Sequence, residues 1–386
     1  MPRIALAALA ALVTLAAGLV VAVVTLRGAP SRVPAEPARP SSYPVPSGAA
    51  TVSTSAGLLD ALSRPEPRDI VLADGSYDNA DPFVDRNGHR VFAQHLGRAR
   101  LRAGFVLDGS TGGAVLQGLS FDLSEPGKAF NGSIVNVHGA GADNQLLDLT
   151  LDGHGALSAG LFVRQAEGLT IRRIVARNFR DWGVLVDPND RSLHPAHPPA
   201  IEDVTSSNVS LPVARSSNGT SEACVWVGVT STVRRIKTRN CGWEGLWVGS
   251  GTRDSVFEDL DINDTGIGIY VEHFASGSTF RRAHVGPNVE RGATCEWDDP
   301  VWGGRPACTD NVFEDSTFDT RLIGVYLDEG TADTTVRRSV FLHQRCGAIG
   351  DYAGVGNLWD TSGNDYRGIA ASAVPVWRDH LYGCKS

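Results

Sequence analysis

The feature that most constrains this chain is a six-residue pattern that recurs between Leu116 and Phe341. An apolar residue is followed by two mostly polar residues, a small or apolar one, a polar one and another small or apolar one. It reads LQGLSF from Leu116, LLDLTL from Leu146, IRRIVA from Ile171, IEDVTS from Ile201 and VRRIKT from Val233. It continues as FEDLDI from Phe257, FRRAHV from Phe280, FEDSTF from Phe313 and VRRSVF from Val336. The starts lie 23 to 33 residues apart. A period of that length with no helical pattern between the strands means a solenoid, in which each repeat buries its apolar face only against its neighbours.

Each repeat carries a further strand introduced by glycine: GLFVR at Gly160, GVLVD at Gly183, GLWVG at Gly245, GIYVE at Gly268 and GVYLD at Gly324. Alternation along these strands sends one set of side chains inward and the other outward. Asn178, Asn208, Asn240 and Asp264 recur at the turn before them. Asn and Asp tolerate left-handed backbone and bond it locally, so these four are expected to be structural. SAGLLDALSR from Ser55, with Leu58, Leu59 and Leu62 apolar, suits a short amphipathic helix that covers the open end of the first coil. DIVLADGSY from Asp69 then begins that coil. The expected fold is all-β, a single-stranded parallel β-helix of roughly ten coils with a short N-terminal capping helix.

The coils, the cap and DIVLADGSY resemble the pectin-lyase-like superfamily of right-handed parallel β-helices over residues 55 to 370. The resemblance is specific for fold only. That superfamily includes polysaccharide lyases, glycoside hydrolases, uronate epimerases and phage tailspikes, so fold analogy does not choose the reaction. GHG at Gly153–Gly155 and RIKT at Arg235–Thr238 are similar to polygalacturonase fragments, but the paired-Asp motifs of that branch are missing. DPND at Asp187–Asp190 departs from the epimerase motif at its His position.

Outside the repeats, Ile4 to Leu26 is an almost unbroken apolar run, which assigns residues 1–27 to an export signal or a single-span membrane anchor. Residues 28–50, rich in Pro, Ala and Ser, have the composition of an extended linker. The β-helix domain is expected over 51–386, with an insertion at about 284–311. The expected location is therefore secreted, or anchored on the outer face of the cytoplasmic membrane, with no other membrane contact. A net charge of −8 argues against nucleic acid as a partner. Six Cys in an exported chain point to disulfides. Cys295 with Cys308, Cys346 with Cys384 and Cys224 with Cys241 are the expected pairs.

If the glycine-led strands stack in register, the outward position two residues after glycine holds Phe162, Leu185, Trp226, Trp247, Tyr270, Thr294, Tyr326 and Ile349. Trp226, Trp247, Tyr270 and Tyr326 form a row of flat apolar surfaces of the kind on which sugar rings stack. The alternative is an aromatic ladder covered by a loop. The next outward position reads Arg164, Asp187, Gly228, Gly249, Glu272, Glu296, Asp328 and Asp351. Coils are about 4.8 Å apart, so the last four make an acidic ladder beside the aromatics. Neighbouring carboxylates cannot all ionise cheaply. Either one stays protonated as a general acid, or a cation such as Ca²⁺ sits among them.

Glu272, Glu296, Asp328 and Asp351 are thus the candidate catalytic residues. Trp226, Trp247, Tyr270, Tyr326, Arg164, Asp187, Glu244 and Arg321 are the candidate substrate-binding residues. The leading expectation is a monomeric glycoside hydrolase acting on a polysaccharide without a cofactor or resident metal. A Ca²⁺-dependent lyase or uronate epimerase is the second reading, and a non-catalytic polysaccharide-binding or adhesion module the third.

Overall fold

The computed structural model describes residue 44 and residues 46–386, apart from 110–111, 140, 165, 188–194, 211–221, 250, 273, 297–307, 329–330, 353–357, 379–383 and 385–386. The apolar N-terminal run and most of the linker lie outside the described residues. Among the described residues, no helix is long and apolar enough to cross a membrane.

Strands stack in parallel into a β-helix. The first strands of successive coils begin at Asp69, Arg90, Val115, Gln145, Thr170, Ala200, Thr232, Val256, Thr279, Val312, Thr334 and Leu358, which makes twelve coils among the described residues. The sequence repeat shows fewer because the coil at Arg90 and the one at Leu358 depart from the six-residue pattern. Each central coil runs through a first strand, one left-handed residue, a second strand, another left-handed residue, a third strand and a loop. These three strand positions stack into three sheets, hereafter the first, second and third sheet.

The core is filled by the same position on every coil. In the first sheet one rung row passes from Leu146 through Ile171, Ile201, Val233, Phe257, Phe280 and Phe313 to Val336, and every one of these side chains is buried. Phe257, Phe280 and Phe313 stack with ring centroids 4.8 Å apart at both steps. In the second sheet Phe318, Phe341 and Tyr366 stack at 5.4 and 5.6 Å. The helix Ser55–Leu62 caps the first coils, its N-terminus closed by the Thr54 hydroxyl, which accepts the Gly57 N–H. It buries Leu58, Ala61 and Leu62, while Leu59, expected on the inner face, points outward.

Stacking at about 4.8 Å rewards residues that match themselves and penalises like charges. Asparagine matches itself: Asn208 Nδ2 donates to Asn178 Oδ1 at 3.1 Å and Asn240 Nδ2 to Asn208 Oδ1 at 3.0 Å. All three are left-handed, as is Asn288 further on. Charged residues solve the problem by alternating. The left-handed corner between first and second strands is held in turn by Asp148, Arg173, Asp203, Arg235, Asp259, Arg282, Asp315 and Arg338. Arg282 Nε donates to Asp259 at 2.8 Å and its Nη2 to Glu258 at 2.6 Å. Arg338 repeats the arrangement with Asp315 at 2.8 Å and Glu314 at 2.7 Å. The preceding rung also alternates, from Glu202 through Arg234, Glu258, Arg281 and Glu314 to Arg337.

Two expectations change here. The segment His284–Glu296, placed in an insertion at about 284–311, is a strand of the second and third sheets, pairing Asp261 with His284 and Glu272 with Glu296. Its Gly-Pro-Asn sequence looks like a loop, but Asn288 is the left-handed corner of an ordinary coil, with φ 68°. Residues 297–307 lie outside the described residues. Cys224–Cys241 and Cys346–Cys384 are disulfides with Cα atoms 5.6 and 5.8 Å apart, whereas Cys295 and Cys308 are buried thiols. Burial, then the neighbouring Cys308, pushes the Cys295 thiol well above its ordinary value.

Phe280→Ala should cost about 3–5 kcal/mol, since it removes the middle ring of a closed stack; urea denaturation would measure it. The charge ladder makes a pH prediction. The hydrogen bond from Arg338 leads in holding Asp315 below its ordinary value. Burial pushes Glu258 up, but the hydrogen bonds from Arg282 and Arg281 outweigh it and leave it lowered. Depressed carboxylates stabilise the fold above their unfolded pKa of about 4. That stability is lost as pH falls through the lower folded values, so the thermal midpoint should be flat near neutrality and drop below about pH 4.

Candidate functional site

The third sheet carries both predicted columns, and its register can be followed rung by rung. Phe162 pairs with Leu185, and the row continues through Trp226, Trp247, Tyr270 and Thr294 to Tyr326. Each strand begins at a bend where a glycine lies against the next coil; a Cβ on Gly268 would run into the Gly292 carbonyl oxygen, and one on Gly292 into that of Gly324. Cys224 takes this position in one coil, and its side chain is used up in the disulfide to Cys241.

The aromatic row does not face open solvent. Trp226 and Trp247 stack at 4.4 Å with their planes 4° apart, and Tyr270 meets Trp247 edge-on at 5.3 Å. Trp247 and Tyr270 are only 4 % and 6 % exposed. Together with Ala223 and Ile267 they form an outer apolar cluster against which Trp182, Trp226 and Trp243 pack half-buried. The reachable indoles are therefore Trp182, Trp226 and Trp243. Sequence reasoning missed Trp182 and Trp243 because it looked only at the position two after glycine. The signal was a tryptophan immediately before Gly183 and one immediately before Glu244, at strand starts that face the same side.

Tyr326, expected as a further platform, is 1 % exposed. It packs with Ile323, Leu322, Tyr352, Trp377 and the Cys346–Cys384 pair in a separate outer cluster. It is thus covered rather than available. Ile349 is absent from the row, because Tyr326 pairs with Gly350 and Val325 with Ile349, so Ile349 lies in the core. The same one-residue slip removes Asp351 from the acidic column. Asp351 pairs with Leu327, is 3 % exposed and accepts from Arg378 at 3.2 Å. Aligning Gly347 with Gly324 produced the error: Gly347 pairs with Ile323, and a shift of one residue reverses every side chain of a strand.

The register keeps Glu272, Glu296 and Asp328 on consecutive coils. Glu272 pairs with Glu296, and the Asp328 N–H donates to the carbonyl of Cys295, the residue before Glu296. Glu272 and Asp328 are half-buried; the Glu296 side chain lies outside the described residues. Trp247 Nε1–H donates to Glu272 Oε2 at 2.8 Å, which ties the carboxylate to the aromatic cluster. The Tyr326 hydroxyl reaches Asp328 at 3.4 Å. Two rungs separate Glu272 from Asp328, roughly 10 Å at the usual strand spacing.

The other candidates divide. Arg164 lies over the Phe162 ring at 4.7 Å. Asp187 leans across Gly228, where a Cβ would come within 2.9 Å of its Oδ1. Glu244 lies on the outer face between Ala223 and Ile267 and is 3 % exposed. Arg321 is not part of this face; it sits at the corner between second and third sheets, 3.4 Å from Glu290. Among the described residues, no three His, Cys, Asp or Glu side chains stand together as a metal site. Chemically, the face offers the Glu272 and Asp328 carboxylates two rungs apart, the first held by an indole, beside half-buried tryptophans.

Gly249→Ala should disrupt this arrangement, because a Cβ there would lie 2.6 Å from Trp226 Nε1. The expected outcome is a weakened near-ultraviolet circular dichroism signal from the stacked Trp226–Trp247 pair, with the far-ultraviolet β signal kept.

No family model matches the chain, and no curated protein matches it in sequence. Solved structures do share its fold. The Dettilon tailspike protein superposes with a TM-score of 0.59 at 12 % identity, over 84 % of this chain and 64 % of the tailspike. The chain thus spans somewhat less than two thirds of that protein's length. The catalytic domain of a GH87 alpha-1,3-glucanase variant in complex with nigerose superposes with a TM-score of 0.52 at 11 % identity, over 88 % of this chain and 70 % of that one. This chain shares with them the right-handed parallel β-helix fold.

Proposed function

We propose that the chain is an exported, polysaccharide-acting enzyme, and specifically a glycoside hydrolase. Glu272 and Asp328 form its acid and base pair, and Trp182, Trp226 and Trp243 its sugar platform. The observation that carries this reading is the in-register run of Glu272, Glu296 and Asp328, with Glu272 fixed by the Trp247 indole at 2.8 Å. Glycoside hydrolysis needs two carboxyl groups, one to protonate the leaving oxygen and one to activate water or attack the sugar. A separation of roughly 10 Å is close to the inverting range of about 6.5–9.5 Å, and neighbouring rungs at about 5 Å fit the retaining range.

Two further observations support it. A glucanase domain of similar fold holds the disaccharide nigerose, which favours a saccharide ligand here. The apolar run from Ile4 to Leu26 favours export, with the domain secreted or held on the outer face of the membrane.

The test is depolymerisation of a polysaccharide panel by the full-length protein, reading new reducing ends and unsaturated products with and without EDTA. Reducing ends without unsaturation are expected, with Glu272→Gln and Asp328→Asn each lowering the rate by about 100-fold or more. Unsaturated products that disappear with EDTA would instead assign a Ca²⁺-dependent lyase. Retained binding with no cleavage would leave a recognition module.

A further inference from the structure

At the corner between the second and third sheets, on the side where Arg321 sits, a groove of about 500 Å³ is lined by Pro287, Asn288, Asp319, Thr320, Arg321, His343 and Arg345. That volume lies in the range of small-ligand sites. Its charges depart from the pattern of the first sheet and its corner, where arginines on stacked positions alternate with acids. Here Arg321 and Arg345 occupy neighbouring coils with the same sign, and the Arg345 N–H donates to the Arg321 carbonyl at 3.2 Å.

Of the nearby acids, Glu290 pairs with Arg321 at 3.4 Å, which leaves Arg345 as the charge that is not offset. Asp319 is engaged by His343, whose Nδ1 is 2.6 Å from its carboxylate. An ionised carboxylate only accepts, so Nδ1 carries the proton, and the His343 side chain is 75 % exposed. Among the described residues, the Arg345 guanidinium has no ion pair and no side-chain hydrogen bond. Two arginines on neighbouring coils, with an imidazole beside them, offer paired N–H donors of the kind that match two oxygens of a carboxylate or sulfate.

We propose that this groove binds a single oxyanion, carried by an acidic sugar residue or free in solution, through Arg345 and Arg321, with the His343 ring alongside. The site lies outside the aromatic and acidic face of the third sheet and does not depend on the hydrolase reading.

The experiment follows histidine ring resonances of the full-length protein, with His343 assigned from His343→Gln, during titration with inorganic sulfate, acetate, glucuronate and glucose. Saturable shifts at His343 with sulfate and glucuronate but not glucose are expected. Arg345→Gln should weaken binding about tenfold or more, the loss expected for one charge-assisted bidentate contact. Glucuronate binding more tightly than acetate would identify a sugar-borne anion, and equal binding a free one; both support the oxyanion site. No saturable shift, an equal response to glucose, or unchanged affinity in Arg345→Gln would overturn it. Glu272→Gln should leave these titrations unchanged, which separates this site from the proposed catalytic column.

Discussion

Backbone hydrogen bonding between coils sets the terms for everything else in this molecule. A coil has no core of its own, so it folds only by lying in register on its neighbours at the spacing of paired strands, about 4.8 Å. Each side chain then meets the same position of the next coil. Phenylalanine accepts that arrangement by stacking, as Phe257, Phe280 and Phe313 do. Asparagine accepts it because it both donates and accepts, as Asn178, Asn208 and Asn240 do. Charges accept it only by alternating, which is how the corner from Asp148 to Arg338 is built.

Against that background, departures from alternation stand out. A like-charged pair on adjacent rungs costs stability, and most charged positions of the first sheet avoid it. Two departures lie on the outside of the third sheet and its leading corner. One is the run of Glu272, Glu296 and Asp328 beside the tryptophan cluster. The other is the pair Arg321 and Arg345 in the groove that also holds His343. Proteins break their own local rules where a ligand, not the fold, resolves the conflict.

The outer surface of the third sheet is also where this β-helix departs from a plain solenoid. It carries two apolar clusters of its own. One gathers Trp247, Tyr270 and Ile267 with half-buried tryptophans. The other closes Tyr326 under the Cys346–Cys384 disulfide. The first leaves indole surface within reach of a ligand and holds Glu272 in place, while the second seals that end of the sheet. Two residues of one column therefore have opposite roles, decided by what lies over them.

The sequence by itself determined the coil, its length, the left-handed asparagines and the inward row, because a period-two strand repeated at a fixed interval admits one register once any coil is placed. It also determined that Glu272, Glu296 and Asp328 fall in backbone register on consecutive coils, which needs only an unbroken count from glycine. It failed at Asp351 and Ile349, where a one-residue difference in the turn leaves no mark in composition and yet reverses the strand. It failed likewise at 284–296, where Gly-Pro-Asn reads as a loop. Only the tertiary structure decided which aromatics are reachable, that Tyr326 is covered, that Cys295 and Cys308 stand as thiols, and that Arg321 joins Arg345 and His343. Exposure and cross-coil company depend on segments distant in sequence that fold over a surface, and no local pattern in the covered residue records what will cover it.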